Sequence, residues 1–103
     1  VQIGIAEGAE LATGGHRVHP QGFEEAYSTE PTILTQCRDD MCVVREEIFG
    51  PVMSVLTFAD GAEAIARANA TNFGLGAGLM TLSGTRPPGS SQAGKRQCVD
   101  QNL

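Results

Sequence analysis

The sequence predicts an α/β fold built on a βαβ unit with parallel strands, followed by a disordered C-terminal tail. Three observations carry this. The run Val52-Met53-Ser54-Val55-Leu56-Thr57-Phe58 is short and nearly all apolar, as expected of a strand buried on both faces. Ala62, Ile65, Ala66 and Asn69 then recur at helical spacing, and Gly74-Leu75-Gly76-Ala77-Gly78-Leu79-Met80-Thr81 reads as a second strand. Strand, helix and strand within about thirty residues form a βαβ unit, with a right-handed crossover and a parallel pair as its default. Residues 82–103, by contrast, are rich in Gly, Pro, Ser, Arg and Gln without periodic apolar positions, so they cannot bury enough surface to order themselves.

The elements follow in chain order. Val1-Gln2-Ile3-Gly4-Ile5-Ala6 has apolar residues at helical spacing and no initial Met; Val1 to Gly8 reads as the last turns of an amphipathic helix, met in the middle of an element. Gly8, or Gly14-Gly15 after the short run Glu10-Leu11-Ala12-Thr13, supplies turn geometry. His16 to Glu25 reads as a polar loop. Thr32-Ile33-Leu34-Thr35, preceded by Pro31, leans towards β-structure. Asp39-Asp40 are placed to cap a short helix through Met41-Cys42-Val43-Val44-Arg45-Glu46. Asp60, three residues before Glu63, forms a variant of the capping box at the start of the next helix. The three glycines of the 74–81 run are costly in a strand unless another backbone packs close to them. In the tail, Pro87-Pro88-Gly89-Ser90-Ser91 would break either a helix or a central strand.

Charge and composition exclude some functions. Twelve acidic against seven basic residues give a net charge of -5. No basic stripe is available for counterion release, which argues against nucleic acid or an anionic membrane as partner. No apolar run approaches the roughly 20 residues of a membrane helix. Three cysteines, an odd number with no CxxC pair, read as reduced thiols in a cytoplasmic protein.

The most specific stretch is Arg45-Glu46-Glu47-Ile48-Phe49-Gly50-Pro51-Val52. A carboxylate has lone pairs enough to accept from both hydroxyls of a ribose, and a neighbouring aromatic ring can lie against another flat ring. Gly-Pro leaves room beside them and directs the chain into the strand at Val52. Taken without further context, these residues favour the plainer alternative: Glu47 as a capping or solvated loop acid, and Phe49 as ordinary core.

The stretch resembles the E-E-x-F-G-P signature of the aldehyde dehydrogenase superfamily. The surroundings agree, with Glu30-Pro31-Thr32-Ile33-Leu34 before it and Ala68-Asn69-Ala70-Thr71-Asn72-Phe73-Gly74-Leu75 similar to the family's N-x-T-x-F/Y-G-L segment. Glu7-Gly8-Ala9-Glu10 and Gly14-Gly15 fit the region leading in. Cys37-Arg38-Asp39-Asp40-Met41, Val43-Val44-Arg45 and Pro51-Val52-Met53-Ser54 look most like the betaine aldehyde dehydrogenase branch. Several ordered motifs in register weigh far more than one short pattern.

The resemblance covers residues 1–81 and implies a partial catalytic domain. It implies oxidation of a small aldehyde, with betaine aldehyde as the branch's substrate, and NAD as cofactor, NADP left open. In the family a cysteine thiolate attacks the aldehyde, hydride leaves to NAD, and a glutamate-activated water cleaves the thioester, while an Asn amide helps hold the oxyanion. Those residues and the dinucleotide-binding domain lie upstream of the segment in the family, so no catalytic residue is assigned here and the fragment is expected to be inactive alone. By position, Glu47 corresponds to the glutamate that binds the ribose on the nicotinamide side, and Phe49 to the aromatic at the nicotinamide. Full-length members assemble as homo-oligomers. Two other readings are a non-catalytic α/β binding module and an inactive partial gene product; a Gly-rich phosphate loop after a strand would favour the module, and none is present.

Cys42 lies on an apolar run with no base placed by spacing, so it reads as a structural thiol, as does Cys37. His16 and His19 with those cysteines fit no usual zinc spacing, and no metal site is assigned. Glu24-Glu25 read as solvated charge, and Arg45 as a partner for an unidentified carboxylate.

The tail departs from the family, which continues with R-A-H-R-V-A, then L-x-x-G, then V-W-I-N. Back-translated and read one base later, Thr85 to Gly89 permits Arg-Ala-His-Arg-Val, Ser90 to Gly94 permits Ala-Ala-Arg-Leu-Glu, and Lys95 to Asp100 permits Ser-Gly-Asn-Val-Trp-Ile. The expectation is a frameshift near residue 82, which would leave Cys98 and the basic residues of the tail without an evolved role. Loss of the covering helix and strand would expose apolar faces and a parallel edge, giving a marginal or aggregating fragment.

Overall fold

A computed structural model describes residues 1–22, 28–80 and 82, and the backbone of 98–100. The chain divides into two compact units, Val1–Thr57 and Phe58–Leu103.

The first unit opens with helix α1 (Gln2–Ala6) and continues through strands β1 (Glu10–Thr13), β2 (Arg17–Val18), β3 (Ser28–Thr29) and β4 (Thr32–Thr35), helix α2 (Cys42–Arg45) and strand β5 (Val52–Ser54). β4 is the centre of a three-stranded sheet of order β1-β4-β5. β1 runs antiparallel to it, with a bulge between Leu11 and Thr13. β5 runs parallel to it, pairing Thr32 with Val52, Ile33 with Met53 and Leu34 with Ser54. The central strand supplies much of the core: its Leu34 and Thr32 are fully buried, as is Met41, and Ala9, Cys37 and Val43 are buried beside them. Val1, Leu11, Val44, Val52 and Leu56 pack around them.

Two glycines are required by close approach. A Cβ on Gly4 would lie 2.8 Å from Val43 Cγ1, so α1 seats directly on α2. Gly14 has a φ of 78° and passes against the Pro31 carbonyl, where a side chain has no room. There Gly15 N donates to Thr32 Oγ1 at 2.8 Å, and the same hydroxyl donates to the Glu30 carbonyl at 2.9 Å. The buried threonine is thereby satisfied, as a buried hydroxyl must be.

The second unit contains helix α3 (Gly61–Asn69) and strands β6 (Ala77–Leu79) and β7 (Cys98–Asp100). Asp60 caps α3, accepting from Glu63 N at 2.9 Å, and Glu63 Oε2 accepts from Ala59 N at 2.7 Å. The reciprocal box expected from the sequence therefore forms, with its return bond one residue earlier than usual. β6 and β7 pair in parallel.

The α/β class with parallel strands is observed, but three expectations are corrected. β5 finds its parallel neighbour in β4, and β6 finds its own in β7, in place of the expected pair between 52–58 and 74–81. β4 and β5 are joined through α2, itself a βαβ connection, and pair over three residues. Secondly, β5 spans three residues and is not buried on both faces, since Met53 is exposed. Thirdly, the loop expected over His16 to Glu25 contains β2, paired antiparallel with β3; residues 23–25 lie outside the described residues. At Gly74, Gly76 and Gly78 a Cβ would meet nothing within 4 Å among the described residues. Of the tail 82–103, only Leu82 and the backbone of β7 are described, so its expected disorder otherwise lies outside the described residues. Among the described residues, no helix is long and apolar enough to cross a membrane.

Candidate functional site

The candidate site is the loop Glu46–Pro51, between α2 and β5. Its first anchor is the last bond of α2, from Glu46 N to the Cys42 carbonyl at 2.9 Å; its second is Thr32 N on the Pro51 carbonyl at 2.8 Å. Between these anchors the chain makes two successive three-residue turns, Gly50 N to Ile48 O at 3.0 Å and Val52 N to Gly50 O at 2.8 Å. Phe49 and Pro51 sit at the two apices. Gln36 is the only non-glycine at positive φ among the described residues, so the turn at Phe49 is the unstrained inverse γ form. Proline's fixed φ suits the second apex.

This geometry sends both predicted side chains outward. Phe49 is 92% exposed. Glu47 is exposed too, and among the described residues its carboxylate has no hydrogen-bond or ion-pair partner. The plainer alternative of Phe49 as core therefore fails in this chain, and Glu47 is not locked in a salt link. Arg45, in the last turn of α2, is exposed as well.

The support beneath the loop includes a residue that local sequence reading missed. Asp39 and Asp40 were expected to cap α2, yet the N-cap residue is Met41, with no side-chain cap of its own. Asp40 Oδ1 instead takes Arg38 Nε at 3.2 Å. The carboxylate at the helix is Glu7, whose Oε2 accepts from Cys42 N at 2.8 Å. The correction has a simple cause: α1 ends against the start of α2, so Glu7 reaches the unsatisfied amide that the aspartates precede. The body of α2 is also tied to β5, by the Ser54 hydroxyl donating to the Val43 carbonyl at 3.0 Å.

The thiols read as structural. Cys37 is buried and leans on the Leu34 carbonyl, 3.5 Å away. Cys42 is half-buried; burial pushes its thiol up from the ordinary value, and the hydrogen bond and charge of Glu46, with the charge of Glu7, push the same way. Such a thiol is held protonated, the reverse of what a nucleophile needs. His16 Nδ1 lies 3.1 Å from Glu30 Oε2 on the exposed surface. Among the described residues no three His, Cys, Asp or Glu side chains gather to hold a metal ion.

Comparison with known proteins agrees with the signature. Residues 1–88 match the pattern described as the aldehyde dehydrogenase family. Betaine aldehyde dehydrogenase of Brucella anthropi is 55% identical over 97 residues, covering 91% of this chain and 20% of the relative. A crystal structure of Mycobacterium tuberculosis aldehyde dehydrogenase complexed with NAD+ superposes with a TM-score of 0.81 at 31% identity, over 96% of this chain and 20% of that one. A Staphylococcus aureus betaine aldehyde dehydrogenase in complex with NAD+ gives 0.71 at 37% identity, over 79% and 16%. The chain thus spans about a fifth of the length of the curated relative it matches.

Proposed function

The chain belongs to the aldehyde dehydrogenase family, and from that premise we propose that it is a catalytic-domain segment of an NAD(P)-dependent enzyme oxidising an aldehyde, with betaine aldehyde as the proposed substrate, to a carboxylate. In this reading residues 1–81 are the native segment and 82–103 are read out of frame. The nucleophilic cysteine, its general base and the dinucleotide-binding domain belong to the rest of the enzyme, so the 103-residue chain is inactive by itself. The complete enzyme is a cytoplasmic homo-oligomer acting on a small aldehyde, with neither nucleic acid nor membrane as partner.

One observation carries the cofactor assignment: a phenylalanine left 92% exposed at the apex of a loop pinned at both ends. Held at that apex, the ring is accessible to a flat partner. The residues fit a pyridine nucleotide. The Glu47 carboxylate, without a partner among the described residues, accepts from a ribose diol, and the Phe49 ring offers a face to the adjoining planar base. When bound, NAD supplies the hydride acceptor. Glu47 and Phe49 bind and orient; they neither take up a proton nor attack the substrate.

The test is a segment exchange. Residues 1–81 replace the matching stretch of the Brucella anthropi betaine aldehyde dehydrogenase, and NAD-dependent oxidation of betaine aldehyde is measured. Activity is expected, and Glu47→Gln in that enzyme should raise KM for NAD roughly tenfold, the worth of a charged hydrogen bond. A folded exchange enzyme whose KM for NAD ignores Glu47→Gln refutes the cofactor role.

A further inference from the structure

Resting on that cofactor reading, we infer that Glu7 is a positioning residue for Glu47 and Phe49: its carboxylate holds the first turn of α2, and α2 sets where their loop begins. α2 has four residues. One turn is not stable alone, because closing it fixes more backbone freedom than its first hydrogen bond repays. It must be held from outside, and its own N-cap side chain does not do so. Glu7 does, across 35 residues of sequence.

Glu7 is itself a fixed point. Its amide donates to the Ile3 carbonyl at 2.9 Å, and its carbonyl accepts from Arg38 Nη2 at 3.1 Å. Gly4, one turn earlier, is in contact distance of Val43 on α2 with no space for a Cβ. The carboxylate lies at the positive end of the helix, where a negative charge is favoured. Beyond α2, among the described residues, only two local turns intervene between the Glu46 anchor and the Pro51 anchor. Thr32 fixes the Pro51 end. A displacement of α2 is therefore taken up by Glu47 and Ile48, and reaches the carboxylate that faces the nucleotide.

The experiment uses the complete dehydrogenase carrying this segment. Glu7→Met keeps the side-chain length and removes the acceptor; Glu7→Gln keeps an acceptor oxygen and removes the charge. Glu7→Met should raise KM for NAD roughly fivefold, the usual loss of one hydrogen bond, with kcat and KM for the aldehyde nearly unchanged. Glu7→Gln should restore most of the difference. With Glu47→Gln already in place, Glu7→Met should add little. A merely structural role would instead lower kcat and active-enzyme yield together, without rescue by Gln.

If Glu47→Gln raises KM for NAD and Glu7→Met does not, Glu7 has no positioning role and the cofactor reading stands. If neither has an effect, both readings fall. In the same complete enzyme, amide exchange at Cys42 and at residues 47–50 should quicken together in Glu7→Met and not in Glu7→Gln. Glu7→Ser, too short to reach Cys42, gives the same readouts where the Met variant does not fold, and unchanged exchange in both overturns the inference.

Discussion

Truncation of Phe49 to alanine separates a binding ring from a packing ring. A phenylalanine side chain in a core buries about 150–250 Å². At 92% exposure, Phe49 keeps only about 10–20 Å² from water, worth below about 0.5 kcal/mol at roughly 25 cal/mol per Å². A core phenylalanine would cost about 3–5 kcal/mol, more than a hundredfold in an opening equilibrium. The two cases are far enough apart for a simple assay. Cys37 is buried beside Leu34, so its alkylation rate, followed by mass spectrometry at low temperature and low concentration, reports opening of the core. Phe49→Ala should change that rate less than about threefold. Leu34→Ala, at a fully buried position, should raise it by about thirtyfold or more as the control. Acceleration by Phe49→Ala comparable with the control would show that the ring packs, and the binding role would lose its support.

Three further outcomes are expected. Gly4→Ala should destabilise the first unit by about 1–2 kcal/mol: overpacking against the stiff Val43 outweighs the gain in helix propensity, and Cys37 alkylation should quicken accordingly; a slower rate would contradict the contact at 2.8 Å. Cys42 should react with iodoacetamide along a pH curve displaced above that of an ordinary thiol, and Glu46→Gln should move it back down, since burial and the Glu46 and Glu7 carboxylates all favour the protonated form. The raised thiol makes a stabilising contribution that is present below the ordinary thiol value and lost as pH climbs through the folded one. Asp60→Ala should weaken α3 by about 1 kcal/mol and speed exchange of the Glu63 amide, while Asp60→Asn should be nearly silent; equal exchange in both would mean that the cap at 2.9 Å contributes nothing.

What could be read without coordinates was local. Asp60 and Glu63 lie three apart, so their reciprocal bonds depend on one turn of chain. Gly8, Gly14 and Gly15 mark positive φ because no other residue adopts it at little cost. Thr32 to Thr35 reads as a strand from its β-branched content, and β4 follows. The Glu47-Ile48-Phe49-Gly50-Pro51 string identifies the candidate loop by residue identity alone. Distance along the chain hid the rest. The cap of α2 comes from Glu7, 35 residues away, while the adjacent Asp39 and Asp40 were the natural local candidates. The partner of β5 is whichever edge lies beside it, and a short apolar strand does not encode that edge. Arg17 and Val18 become a strand only because Ser28 and Thr29 are brought alongside. The exposure of Phe49 likewise belongs to the tertiary structure: a phenyl ring in a sequence reads as core, and only the paired turns between two anchors turn it towards solvent. Short-range hydrogen bonds and steric rules are written in neighbouring residues, whereas burial and long-range caps depend on which surfaces the folded chain brings into contact.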